Sequence, residues 1–149
     1  MATIDIQIAS TMPDIPPDAK MRIWCESALN ARHENAALAL RIVDDEEMLS
    51  LNTQFRQKTS TTNVLSFPCE LPPELELDEL GDIVICAPVV EQEAKDQNKP
   101  RDAHWAHMIV HGTLHLQGYD HIEENEAEEM EALEDTIITA LGFPPPYAT

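Results

Sequence analysis

The chain has 149 residues, 43% hydrophobic and 25% charged, which is enough apolar content for one compact domain with a single core and too much for a disordered chain. Nine Lys and Arg stand against 28 Asp and Glu, a formal charge of −19, so general electrostatic adhesion to nucleic acid or anionic lipid is excluded, because both need basic excess. No basic segment followed by an apolar one succeeds Met1, and no apolar run approaches the ~18 residues of a membrane span, so a cytoplasmic protein with no membrane partner is expected.

Ile4, Ile6 and Ile8 alternate with Asp5 and Gln7, the period of a strand with one buried face. Pro16 and Pro17 open a helix to about His33, with Met21, Trp24, Cys25, Ala28 and Leu29 on one stripe. Ala36 to Val43 reads as a second strand. Asp44 and Glu47 have the spacing of a capping box, and Met48, Leu49 and Leu51 carry a helix toward Phe55. A polar stretch, Arg56 to Asn63, leads into a short strand, Val64 to Phe67. Pro68 to Leu80 is acidic, proline-bearing and aperiodic, and is expected to be a surface loop. Gly81 to Cys86 reads as a central strand, and Pro88 to Gln97 and Arg101 to Leu116 as helices. The last helix runs from about Glu123 to Leu141, with Met130, Leu133, Ile137 and Leu141 as its seam and eight acids between Glu123 and Asp135 as a mostly solvated face. Early strands followed by late helices give an α+β fold in one domain, residues 1–149. Cys25, Cys69 and Cys86 are odd in number, with no C-x-x-C pair, and read as small buried hydrophobes rather than a disulfide framework or a cysteine zinc site.

Chemistry is concentrated late in the chain. All nine basic residues lie at or before Arg101, and five of the six histidines fall between His104 and His121. His111 and His115 are four apart on a helix, so both rings leave one face. Gly118 permits a sharp turn, after which His121 can return as a third ligand. Three imidazoles suit one zinc ion per chain and leave its fourth position open, which is the catalytic arrangement, with bound water acidified to a pKa of about 7. His104 and His107 share a helix face and read as structural or supporting residues. The spacing H-x3-H-x5-H with Gly118 is that of the zincin-like metzincin proteases, but the position of the protease's general base is held by Gly112, which disfavours peptide hydrolysis.

The segment from His111 through Gly118 to His121 resembles the signature of the YbeY family of single-strand-specific endoribonucleases. The blocks Leu51 to Arg56, Thr62 to Pro68, Gly81 to Cys86 and Ala103 to Met108 resemble that family in order and spacing, so the resemblance covers roughly residues 50–142. It implies an α+β fold with a mixed four-stranded sheet, zinc on His111, His115 and His121, a functional arginine at Arg56, and a part in 16S rRNA 3′ end maturation and ribosome quality control. A guanidinium suits that role, since phosphodiester cleavage puts charge on non-bridging oxygens. Asp120 either orients a ligand imidazole or caps the last helix with Glu123. The expected partners are single-stranded rRNA rather than DNA, the ribosome or a ribosomal protein, and an assembly GTPase. Arg56, Lys58, Lys95, Lys99 and Arg101 are the expected RNA contacts. Two other readings compete: a non-catalytic zinc-stapled assembly factor and a degenerate zinc peptidase.

Overall fold

A computed structural model describes residues 2–58, 60–69, 78–119 and 123–147. The elements follow in the order β1 (Thr3–Ala9), α1 (Asp18–Ser27), β2 (Ala37–Val43), α2 (Asp45–Arg56), β3 (Val64–Pro68), β4 (Glu79–Cys86), α3 (Ala87–Asp96), α4 (Arg101–Leu116) and α5 (Glu124–Ala140). The fold is α+β, as the pattern of elements predicts. Its four strands are ordered β1-β2-β4-β3. β1, β2 and β4 are parallel, so each connection between them crosses over, whereas β3 lies antiparallel to β4 at the edge.

One face of the sheet, with Leu38, Leu40, Ile42, Ile83 and Ile85, meets the helices in the main core. The other carries a smaller cluster of Val43, Met48, Leu65, Val84 and Cys86. α4 is the central helix, packed against α1, α3, α5, β3 and β4. Twelve of its 16 residues are buried, including Trp105, His104 and His107, so its polar groups must find partners inside the protein. No helix among the described residues is long and apolar enough to cross a membrane.

Four local expectations are corrected. α1 stops at Ser27 and is followed by a single 3-10 turn at Ala31–His33 instead of running on to His33. Gln117, at the end of α4, binds the carbonyl of Ala28 and the amide of Asn30, drawing the chain out of helical geometry. The capping box does not form: Asp44 accepts from Ser10 Oγ and from the amide and hydroxyl of Thr11, and Arg41 holds Glu47. Of the cysteines, Cys25 and Cys86 are buried, and burial pushes their thiols up to about 11 and about 12, but Cys69 is exposed. β4 also begins two residues before the expected Gly81, taking up Glu79 and Leu80.

Candidate metal centre and its cleft

α4 presents four histidines along one face, His104, His107, His111 and His115, with successive ring centroids 6.3, 6.2 and 4.6 Å apart. Their spacings of three and four residues follow the helical repeat. The Nε2 atoms of His111 and His115 lie 3.1 Å apart. On its other side, His111 Nδ1 is 2.6 Å from Glu134 Oε1. An ionised carboxylate only accepts, so Nδ1 carries a proton, and in the neutral imidazole Nε2 is then the atom with a lone pair toward His115. That is the orientation a metal-binding imidazole takes when a carboxylate stands behind it.

Glu134 is fully buried on α5. Burial pushes its carboxyl up, but the neighbouring His107 and His111 imidazoles outweigh that and hold it down at about 2, so it is ionised at neutral pH. Its second oxygen, Oε2, accepts from the Tyr147 hydroxyl at 2.7 Å. His107 Nε2 is 3.3 Å from Oε1, near enough for charge attraction but not aligned as a hydrogen bond, and His107 Nδ1 has no hydrogen-bond partner among the described residues. His104 is held differently: its Nε2 meets Glu93 at 2.9 Å, and burial keeps the imidazole below its usual pKa despite that carboxylate. His107, His111 and Glu134 offer ligand atoms within 4.8 Å of one another and could hold a metal ion.

His111 and His115 open into a cleft of about 940 Å³ whose other wall is the segment from Arg56 to Ser66, with Gly118 and Tyr119 at one end. Its described lining includes Arg56 and Lys58 and no carboxylate. In a chain of charge −19 this is a local cationic surface. The wall is anchored by Asn52, nearly fully buried, whose amide donates to the Ser60 carbonyl, while the Lys58 amide donates back to the Asn52 carbonyl. Gln57, at φ 57°, ends α2 in the left-handed conformation and turns the chain into this wall. Arg56 therefore leaves the end of α2 toward the edge strand. One of its nitrogens donates to the Ser66 carbonyl at 2.8 Å, and its guanidinium lies 5.5 Å from the centre of the Phe67 ring.

Two glycines shape the centre. A Cβ on Gly112 would stand 2.8 Å from Ile83 Cγ2, so glycine is what lets α4 lie close on β3 and β4. The position of the protease's base thus faces the sheet. Gly118 has φ 101° with open space around it, and provides the turn after His115.

The structure brings His111, His115 and Arg56 to one cleft. His121 and Asp120 lie outside the described residues. Lys95, Lys99 and Arg101 do not line the cleft, and Arg101 is held by Glu91 and the Asp14 carbonyl. Glu134 was the residue missed, hidden in an acidic run read as a solvated face. Its signal is its place four residues after Met130 and four before Ile138, both fully buried apolar residues.

The profile of the Endoribonuclease YbeY family matches residues 6–142. Endoribonuclease YbeY of Pseudomonas syringae pv. tomato is 53% identical over 149 residues, covering 99% of this chain and 89% of the relative. The solution structure of TM1509 from Thermotoga maritima shares the fold, with a TM-score of 0.59 and 22% identity over 97% of this chain and 99% of that one. The family match and the 53% identical relative define a hydrolase of the phosphodiester-cleaving class. The chain belongs to the YbeY family of endoribonucleases.

Proposed function

We propose that this chain is a zinc-dependent, single-strand-specific endoribonuclease with its metal on His111, His115 and His121, working in the cytoplasm on the 3′ end of 16S rRNA and in ribosome quality control. The observation that carries the reading is the joint placement of the His111 and His115 Nε2 atoms, 3.1 Å apart, and of Arg56 on one cleft. Two imidazole nitrogens this close share either a proton or a cation between them, and neutral imidazoles are donors suited to zinc. His111 and His115 are favoured over the His107, His111 and Glu134 group because Glu134 is already committed as an acceptor behind His111.

When bound, zinc supplies Lewis acidity toward water or a phosphoryl oxygen. The remaining work falls to the chain. Glu134 orients His111, and Arg56, steadied by the Ser66 carbonyl, meets the non-bridging oxygens where charge develops. Lys58 draws the neighbouring phosphate, and the hydroxyls of Ser60, Thr61 and Thr62 line the path of the strand. With few cations available, recruitment by the ribosome, a ribosomal protein or an assembly GTPase raises the local concentration of substrate. The test is incubation of the zinc-loaded protein with single-stranded RNA, the matching duplex and casein. Cleavage of single-stranded RNA alone is expected, and efficient cleavage of casein or of the duplex overturns the reading.

A further inference from the structure

We propose that Tyr147 is a positioning residue of the site, its hydroxyl fixing the buried Glu134 carboxylate in the orientation that holds the His111 imidazole. The inference rests on the metal reading above only for its effect on metal binding, not for the hydrogen-bonded chain itself.

The family match ends at Gly142, short of Tyr147. Gly142, at φ 95°, reverses the chain after α5, and the Phe143 amide returns to the Ile138 carbonyl. Phe143 then packs edge-on against Trp24. Three prolines, Pro144 to Pro146, fix φ at each step and lower the entropy lost in ordering the segment. Tyr147 arrives back alongside α5, with its amide 3.2 Å from Asp135 Oδ1, one residue past Glu134. Its ring stands edge-on to His107, with centroids 5.4 Å apart, and its hydroxyl donates to Glu134 Oε2 at 2.7 Å.

The division of labour on Glu134 gives this bond its consequence. Oε1 takes the His111 Nδ1 proton at 2.6 Å, while His107 Nε2 stands 3.3 Å from the same oxygen. Two imidazoles thus compete for one oxygen, and the Tyr147 hydroxyl occupies the other. Remove the hydroxyl and Oε2 becomes a buried, unsatisfied acceptor, which the carboxylate relieves by rotating toward His107. That rotation loosens His111. The tail therefore acts on the cleft through Glu134 without touching substrate.

Tyr147→Phe keeps the ring against His107 and removes only the hydroxyl. Zinc affinity, measured by competition with a chromogenic chelator, is expected to fall about 10- to 100-fold, the range for losing a group that supports a ligating histidine. In the metal-free protein, NMR of the imidazole protons should show His111 Nδ1–H exchanging with solvent at least about tenfold faster than in wild type. On a Glu134→Gln background the same substitution should change neither quantity further, because the hydroxyl works through the carboxylate. A Tyr147→Phe protein with unchanged His111 proton exchange, or with effects that simply add to those of Glu134→Gln, overturns the proposal. If His115→Ala keeps zinc at wild-type affinity, the metal reading fails instead. His111 proton exchange in Tyr147→Phe then decides the positioning role alone, faster exchange supporting it and unchanged exchange overturning it.

Discussion

Arg56 is exposed, yet its guanidinium is held by the Ser66 carbonyl and the Phe67 ring, so it is in place before substrate arrives. Arg56→Ala should leave metal content and fold intact and lower RNA turnover about 10²- to 10³-fold, the usual cost of one charge-stabilising donor. Steady-state cleavage of a single-stranded oligonucleotide checks this, and unchanged turnover rejects a catalytic Arg56. Gly112 makes the opposite kind of contribution, through what it lacks. The Cβ of Gly112→Ala must displace Ile83 from a packed sheet, so a loss of about 1–3 kcal/mol is expected in urea denaturation. A Glu there meets the same wall, which is why restoring the protease residue should give no peptidase.

At the level of elements, Asp44 ties the segment after β1 to the start of α2. The Ser10 hydroxyl and then the Thr11 amide hold its carboxyl below the ordinary value of 3.8. A pKa depressed by folding stabilises the protein above that ordinary value, and the contribution is lost as the pH falls through the folded-state value. Asp44→Asn should therefore cost about 1 kcal/mol at neutral pH and much less in strong acid, which denaturation curves at two pH values would show. The same residue shows where sequence reading stops. Asp44 and Glu47 spell a capping box, but Ser10, Thr11 and Arg41, distant in sequence or on another element, claim both carboxylates. Long-period patterns were more legible: α4 runs from Arg101 to Leu116 as its periodicity indicates, and α2, α3 and α5 are displaced by a residue or so. The histidine pair was legible because helical geometry alone sets its spacing. Arg56 came from resemblance, since no local pattern says that the end of α2 meets the edge strand. Glu134 leaves only its helical spacing between Met130 and Ile138 as a signal, and Tyr147 none, because their meaning lies in the packing of α5 and the tail onto α4.

Taken as a whole, the molecule is strongly acidic, and its cleft is the exception. The sequence offers five cations to RNA, but among the described lining residues only Arg56 and Lys58 face the cleft. At about −0.7 per phosphate neutralised on a single strand, log affinity against log salt should have a slope near −1.4, against about −3.5 for five contacts. A binding series over salt concentration checks this, and a slope of the steeper size would place RNA on a surface other than the cleft. Family membership makes the chain a phosphodiester hydrolase, and the reading of its centre rests on histidines carried by one buried helix. Elemental analysis of purified wild type and His115→Ala tests that most directly. One divalent metal per wild-type chain, and almost none in His115→Ala, is the predicted result, whereas an undiminished metal content in His115→Ala would contradict it.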